Sequence, residues 1–356
     1  MLDKILKDRK IQAILIIDPY NMRHVSGFRG GEGALYISAT QTVLITDSRY
    51  TEAAAKESSF TVLQESNQHK REEILKECME KEQVQGDFAM GYEDQAMLCC
   101  DFDKLKEALP VQCWVPLESS INDLRQVKTQ EEIQCLKMAE EIGDRAFAKL
   151  LPLLKPGMTE LEAAAELEYL MKKEGAEDLS FNTIVASGLN SSMPHAIPSA
   201  KKFEEGDFIT FDFGCKYKGY CSDMTRTVVL GKASDKQKEI YNVVLKAQLA
   251  GLEALKAGKS GASVDKVARD IIAEAGYGEY FGHGLGHSVG LFIHENPRLS
   301  PSDDTILQEN MIETVEPGIY VPGFGGVRIE DMVVVTKDGH INLAHSPKEL
   351  IELPVK

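Results

Sequence analysis

The feature that most constrains this chain is a set of four acidic residues inside segments that otherwise resemble buried β-strands. Asp212 lies in FITFDFG, Asp223 in YCSDMTRTVVL, Glu316 in ETVEPGIY and Glu330 in VRIEDMVVV. Removing one carboxylate from water costs several kcal/mol, so a core cannot hold four of them without compensation. A divalent cation bound by the four groups is the simplest compensation, and the fold must then bring these segments together.

The first two acids are predicted to lie on paired strands. Asp212 alternates with Phe211 and Phe213, so its side chain points to the strand face opposite the phenylalanines. A four-residue loop at 216–219 would place Asp212 directly opposite Asp223, with Cβ atoms about 5 Å apart. Two full charges at that distance repel by roughly 3 kcal/mol at an effective dielectric constant of ~20. A shared proton or a cation would offset the repulsion, and a slipped register is the alternative.

The chain is long enough for two domains, and its pattern changes near residue 124. Residues 1–123 alternate short apolar runs with helical stretches, which predicts an α/β domain. Residues 124–356 contain helices followed by antiparallel strands, twice over, which predicts an α+β domain made of two similar halves. Three capping boxes mark the helix starts in this part: Thr129 with Glu132, Thr159 with Glu162, and Ser234 with Gln237.

Charge and apolar patterning exclude several classes of partner. The net charge of -16 disfavours nucleic acid and anionic membranes, because both normally require a basic surface. No window approaches the ~20 apolar residues that cross a bilayer, and the first residues lack the apolar core of a signal peptide. The seven cysteines are odd in number and never spaced CxxC, so we expect reduced thiols rather than disulfides or a zinc ribbon. A cytoplasmic protein is therefore expected.

Four of the eight histidines lie in glycine- or proline-bearing segments of the second domain: His195, His283, His287 and His294. His283 and His287 have the i, i+4 spacing of a helical zinc site, but the glycines of FGHGLGH argue against a helix there. An extended, glycine-lined backbone that passes close to a substrate is the better prediction.

Together these residues resemble a known family. Asp212, Asp223, His287, Glu316 and Glu330, in the settings FDFG, SDMTRT, GHGLGH, VEPGIY and VRIED, resemble the metal site of the pita-bread metallopeptidases. The branch they resemble contains Xaa-Pro aminopeptidases and Xaa-Pro dipeptidases. The motif-bearing match runs from about residue 124 to the end. The first third resembles the smaller creatinase-type α/β domain of that branch, but it carries no catalytic motif.

The resemblance implies two divalent metal ions. By it, Asp223 and Glu330 bridge the ions, Asp212 completes one site, and His287 with Glu316 completes the other. A ligand set rich in oxygen with one imidazole suits Mn(II), with Co(II) or Zn(II) as alternatives. Two such ions can activate a shared water and polarise the scissile carbonyl.

The resemblance also implies roles for the remaining residues. Glu316 would be the general base, His294 would contact the scissile carbonyl, and His195 would serve both catalysis and substrate binding. The other substrate-binding candidates are His283, Arg328, Tyr220 and Tyr320, although Arg328 could equally form a structural ion pair. Asp331 would orient a metal ligand.

The activity that this resemblance favours is that of an Xaa-Pro aminopeptidase, with Xaa-Pro dipeptidase as the alternative. Its substrates would be peptides with proline in the second position, and a homodimer is expected. Methionine aminopeptidase shares the five ligands but typically lacks such an N-terminal domain, and creatinase lacks the ligands. An inactive peptide-binding module on the same fold is the alternative from another class.

Overall fold

In the computed structural model, residues 2–82 and 86–355 are described, and the chain divides into two compact units, Met1–Arg125 and Gln126–Lys356. Within the described residues, every helix is too short or too polar to traverse a lipid bilayer.

The first unit is an α/β domain built on one six-stranded sheet of order β4-β3-β2-β1-β5-β6. Only β2 runs antiparallel to its neighbours. Along β1, Leu15 packs into one apolar core and Ile14 into another, so both faces of the sheet are covered. Its elements are α1 Leu2–Arg9, β1 Ala13–Ile16, α2 Pro19–Ser26, β2 Ala34–Ser38, β3 Thr42–Asp47, α3 Thr51–Glu57, β4 Thr61–Glu65, α4 Arg71–Lys81, β5 Ala89–Tyr92, α5 Cys99–Ala108 and β6 Cys113–Pro116.

The second unit repeats one arrangement, a helix pair followed by a sheet. Neighbouring strands of the two main sheets are antiparallel, apart from the parallel pair formed by residues 228–230 and 351–353. The first half contains α6 Gln130–Leu150, α7 Glu160–Lys173, β7 Asp178–Leu179, β8 Ile184–Ser187, β9 Phe208–Phe213, β10 Cys215–Tyr217, β11 Tyr220–Cys221 and β12 Met224–Leu230. The second half contains α8 Asp235–Ala254, α9 Gly261–Glu274, β13 Gly286–Ser288, β14 Glu295–Leu299, β15 Ile312–Val315, β16 Gly318–Val321, β17 Gly325–Arg328, β18 Asp331–Val335 and β19 His340–Asn342. The last strand is β20 Ile351–Leu353.

The two main sheets of this unit have the orders β20-β12-β9-β8 and β14-β13-β15-β18-β19. Each packs on its own helix pair. In the first half, Phe147 of α6 stacks on Phe213 of β9 with ring centroids 5.6 Å apart. In the second half, Val244 of α8 and Ala268 of α9 share an apolar core with Val315 of β15. The predicted α+β class with two similar halves is confirmed.

The three predicted capping boxes all begin helices. The side chains of Thr129, Thr159 and Ser234 each accept a hydrogen bond from the backbone N–H of the residue three positions later. The side chain of that later residue accepts from the backbone N–H of the capping residue. The sequence analysis did not predict α9. Its cap, Ser260, accepts from Ser263 N without the reciprocal acid that makes a capping box recognisable.

The hairpin that carries the first two acids has a shorter loop than predicted. Lys218 and Gly219 both have positive φ, 46° and 72°, which gives a two-residue turn of the I′ class between β10 and β11. The ladder is thereby shifted by two residues, and Asp212 pairs with Thr225 rather than with Asp223. The prediction of direct pairing was wrong. A shift of two residues preserves the face, so both carboxylates still belong to one side of the hairpin.

Candidate metal centre

Three of the four acids lie where a strand is interrupted. Asp223 falls between β11 and β12, Glu316 between β15 and β16, and Glu330 between β17 and β18. Their backbone N–H groups donate outside the strand ladders. Asp223 N donates to Glu140 Oε2 (3.3 Å), Glu316 N to Leu285 O (2.8 Å) and Glu330 N to Thr225 O (3.1 Å). Each break is therefore stabilised by a contact with another segment of the site, which fixes where the acidic side chain begins.

The acids converge on one histidine. Asp223, His287 and Glu330 are buried, and one ligand atom of each lies within 4.8 Å of the others. His287 Nε2 is 3.4 Å from Asp223 Oδ2 and 3.5 Å from Glu316 Oε1. Two atoms bound to one ion at about 2.1 Å, with angles of about 90–110°, are about 3.0–3.4 Å apart. The observed separations are close to that range.

The protonation of His287 favours a cation at this position. Burial, with the nearby His294, lowers the pKa of His287 to about 3, so the ring is neutral at physiological pH. Its Nδ1 lies 3.1 Å from the carbonyl oxygen of Ser288, which can only accept, so Nδ1 carries the proton. Nε2 therefore directs a lone pair toward two carboxylates. Such an arrangement is repulsive unless a proton or a cation lies between the groups.

Asp212 contributes a second indication. Arg328 Nη2 donates to Asp212 Oδ2 at 2.5 Å, whereas Asp212 Oδ1 is buried and has no hydrogen-bond partner among the described residues. Arg328 also donates to Thr225 Oγ1 (3.0 Å) and to the Tyr320 hydroxyl (2.8 Å). The ion-pair interpretation of Arg328 is thus the one its contacts support. A buried carboxylate oxygen without a donor fits a metal ligand.

Burial opposes ionisation of the clustered acids. It raises the pKa of Asp223 and Glu330 well above their usual values, and the charges of neighbouring carboxylates add to the effect. The pKa of Glu316 rises to about 7, mainly through burial, although Arg328 partly opposes the rise. Without a cation, burial and mutual repulsion therefore favour the protonated form of these groups. A divalent ion would replace those protons.

The pH dependence of stability follows from these shifts. Because the folded-state pKa values are raised, the stabilisation from protonated acids is complete below the unfolded pKa values of about 4 and is lost as pH rises through about 7. We expect metal addition to raise the melting temperature by a margin that grows from pH 5 to pH 8. Calorimetry of chelated and metal-loaded protein measures that margin, and a constant margin would contradict the expectation.

Asp331 and Arg226 form a buried ion pair that stabilises the backbone at Glu330. Arg226 Nη2 is 2.8 Å from Asp331 Oδ1, and both side chains are almost fully buried. Arg226 Nη1 donates to the backbone oxygen of Glu330 at 2.5 Å. The Glu330 carboxylate is held separately by the Thr225 hydroxyl, at 2.6 Å. Asp331 therefore acts on the backbone of the neighbouring acid rather than on its carboxylate.

The glycine-rich segment is extended, as predicted, and not helical. Gly286 begins β13, and a Cβ at Gly286 would lie 1.9 Å from the Thr314 carbonyl oxygen, so only glycine fits there. Upstream, Arg269 donates to the backbone oxygen of His283 at 2.7 Å and forms a two-bond pair with Asp265. Burial lowers the pKa of His283 to about 4, so that ring is neutral.

A cavity of about 440 Å³ opens beside these groups. It is lined by all five predicted metal ligands, by the predicted substrate residues His195, His283, His294 and Arg328, and by Phe181, Asn182, Ile184, Pro194, Gly284, Gly286, Arg298 and Ser300. Tyr320 stands behind this lining, with its hydroxyl bonded to Arg328 and to His283 Nε2 (2.9 Å). Tyr220 lies apart from the cavity, and its hydroxyl donates to Glu132 Oε1 at 3.0 Å.

Arg298 was missed by the sequence analysis. It lies on β14, a strand whose residues alternate between buried and exposed, four residues after His294. His294 lies outside this strand, so no local pattern in the sequence places Arg298 beside it.

The fold and this site together define a class of protein. Residues 134–337 match metallopeptidase family M24, and residues 1–127 match the creatinase/prolidase N-terminal domain. The chain belongs to the M24 family and is a metallo-exopeptidase of the aminopeptidase P and prolidase branch, as predicted. Its C-terminal unit is the pita-bread domain. Membership implies use of a divalent metal, for which Asp223, His287 and Glu330 form a candidate site.

Relatives with solved structures cover nearly the whole chain. A structure of an Xaa-Pro dipeptidase from Bacillus anthracis has 43% sequence identity and a TM-score of 0.95, covering 99% of this chain and 98% of that one. An Xaa-Pro dipeptidase from Pyrococcus furiosus is 40% identical over 349 residues, 98% of this chain and 97% of its own length. A structure of an X-Pro aminopeptidase from Thermotoga maritima has 40% sequence identity and a TM-score of 0.89, covering 97% of this chain and 99% of that one.

Proposed function

We propose that this protein is an Xaa-Pro dipeptidase that uses two Mn(II) ions to hydrolyse the bond before a carboxyl-terminal proline. The sequence alone favoured the aminopeptidase. Relatives named Xaa-Pro dipeptidase, at 40–43% identity over almost the full chain, favour the alternative instead. The observation that carries the proposal is the cavity itself, in which the five metal-ligand candidates share a wall with a cationic side chain.

That side chain is Arg298. A dipeptide places its own carboxylate one residue beyond the scissile bond, so a dipeptidase needs a cation at that distance from the metals. The guanidinium of Arg328 is already engaged by Asp212 and Tyr320. Arg298 lies on the cavity wall, and its guanidinium has no hydrogen bond or ion pair with the other described residues. It is therefore available for a substrate carboxylate, which guanidinium groups bind in two-bond geometry.

In the proposed mechanism the protein groups position the substrate and move one proton. Asp212, Asp223, His287, Glu316 and Glu330 would hold the two ions. The bound metals would supply Lewis acidity and an activated water. Glu316 would accept a proton from the attacking water, because its carboxylate lines the cavity beside the other four metal-ligand candidates.

The histidines complete the site. His294 is exposed toward the cavity, with its ring 4.6 Å from that of His287, and burial lowers its pKa, so it donates as a neutral N–H. We assign it to the scissile carbonyl oxygen, where it stabilises the tetrahedral oxyanion. His195 and His283 line the substrate side of the cavity, and the Tyr320 hydroxyl fixes the His283 ring.

The test compares Ala-Pro, Ala-Pro-Ala and Ala-Pro-amide with added Mn(II). We expect Ala-Pro to be the best substrate. Arg298→Met should lower kcat/KM for Ala-Pro about 10- to 100-fold, because a charge-assisted hydrogen bond contributes about 1.5–3 kcal/mol. The same change should leave Ala-Pro-amide, which lacks the carboxylate, within about 2-fold of wild type.

Arg145→Met is the matched control, since Arg145 is a surface guanidinium on α6 that pairs with Glu174. Arg145→Met should leave kcat/KM unchanged for both Ala-Pro and Ala-Pro-amide. Faster hydrolysis of Ala-Pro-Ala than of Ala-Pro would reverse the proposal in favour of an Xaa-Pro aminopeptidase.

A further inference from the structure

The segment 188–198, which follows β8, brings His195 to the cavity although the large apolar side chains of the segment are exposed. Leu189, Met193 and Ile197 are 61%, 50% and 85% exposed, so apolar burial does not hold the segment in place. The His195 imidazole has no hydrogen-bond partner among the described residues, and it is exposed. The position of this ring therefore depends on what fixes the backbone around it.

One carboxylate gathers both ends of the segment. Glu160, the first residue of α7, is fully buried. Its Oε1 accepts from the backbone N–H of Ser187 (2.7 Å) and from the Ser187 hydroxyl (2.9 Å). Its Oε2 accepts from the backbone N–H of Ser199 (3.1 Å) and from the Ser199 hydroxyl (2.7 Å). Asn190 Nδ2 donates to both oxygens, at 3.1 and 3.2 Å.

These contacts make the carboxylate and the segment mutually dependent. Among the described residues, every hydrogen-bond donor to the Glu160 carboxylate comes from the segment or from the residues that flank it. The positive end of the α7 dipole supports the same charge. If the segment opened, the Glu160 carboxylate would lose these donors together, which is unfavourable. Closure of the segment and burial of Glu160 are therefore one event.

The centre of the segment is tied to the site. Gly326 N donates to Ser191 Oγ at 2.9 Å, and Arg328 Nη1 donates to Pro194 O at 3.4 Å. Glu160 fixes the two ends, and the residues of β17 fix the middle. His195, next to Pro194, is held between these anchors.

We propose that Glu160 is a positioning residue that sets the location of His195 through the backbone of segment 188–198. The inference rests on the proposed function for its kinetic consequence only. Its structural consequence, a segment that closes through Glu160, is independent of which peptide is cleaved.

The kinetic test is a double-mutant cycle on Ala-Pro with Glu160→Gln and His195→Ala. The amide keeps the shape of Glu160 but presents N–H donors to groups that are themselves donors. We expect Glu160→Gln to lower kcat/KM about 10- to 100-fold, because small misplacements of positioning groups have effects of that size. In the His195→Ala background, Glu160→Gln should lower kcat/KM by less than about 2-fold.

Glu162→Gln is the matched control, since Glu162 lies on the same helix, is exposed, and contacts only Thr159 in the capping box. It should stay within about 2-fold of wild type in both backgrounds. Mn(II) affinity should be unchanged in all of these variants, because Glu160 contacts none of the five metal-ligand candidates. Equal losses from Glu160→Gln with and without His195 would overturn the proposal.

Hydrogen exchange supplies a readout that does not require activity. Glu160→Gln should speed exchange of the amides of residues 187–199 while strands β9 and β12 keep their protection. Ser199→Ala, which removes one donor and leaves the backbone bond, should show a smaller change in the same region. If exchange increased across the whole second unit, or in none of it, Glu160 would not be acting on this segment. If the wild type failed to hydrolyse Ala-Pro but Glu160→Gln still sped exchange at residues 187–199, only the proposed function would be contradicted.

Discussion

Removal of divalent metal is expected to reduce peptidase activity by about 10³-fold or more, since Lewis-acid stabilisation contributes several kcal/mol and each 1.36 kcal/mol is tenfold in rate. Added Mn(II) should restore the wild type. It should not restore Asp223→Asn, because Asp223 belongs to the candidate metal site and an amide is a poor substitute for a carboxylate ligand. The measurements are metal content after dialysis and kcat/KM at saturating Mn(II). Full activity after exhaustive chelation would contradict the metal centre.

The same substitution should have the opposite effect on stability. In metal-free protein at pH 8, Asp223 is a fully buried acid whose ionisation is opposed by burial and by Glu330. An amide of the same shape removes that cost, so chelated Asp223→Asn should unfold at a higher temperature than chelated wild type, by about 2–4 °C per kcal/mol regained. Lower stability would show that activity was lost through misfolding rather than through the metal site.

Glu316→Gln is expected to lower kcat about 10²- to 10⁴-fold at saturating metal, the range that general-base catalysis contributes. Glu316 Oε1 lies 3.5 Å from His287 Nε2 and accepts from the Thr314 hydroxyl at 3.3 Å, so the amide can occupy the same space. Saturating Mn(II) compensates for weaker binding to a substituted ligand. Pre-steady-state and steady-state rates with Ala-Pro separate loss of the base from loss of metal.

The matched control for this substitution is Glu313→Gln, three residues earlier in β15. Glu313 is also fully buried, and both of its carboxylate oxygens lack hydrogen-bond partners among the described residues. Burial raises its pKa well above the usual value, which favours the neutral acid that an amide resembles. It does not line the cavity, and we expect kcat within about 2-fold of wild type. Equal losses from both substitutions would assign the effect of Glu316→Gln to the strand rather than to the base.

Local signals accounted for much of the fold. The capping boxes at Thr129, Thr159 and Ser234 each depend on contacts within one helical turn, so the sequence alone located three of the four long helices of the second unit. The hairpin loop was predicted to have four residues, but Lys218 and Gly219 adopt positive φ and close it as a two-residue turn. Loop length in a hairpin fixes the register, so the shorter loop moved the partner of Asp212 by two positions.

The sequence by itself determined the chemistry of this protein, because acids in strand-like segments and histidines among glycines are visible without coordinates. Only the tertiary structure decided which groups meet. Arg328 is paired with Asp212, and Tyr220 is turned away toward Glu132. No local pattern indicated that Arg298 lines the cavity or that Glu160 accepts from Ser187 and Ser199. The physical reason is that a contact between residues a hundred positions apart depends on the summed geometry of all intervening elements. A cap or an alternating strand depends only on its immediate neighbours.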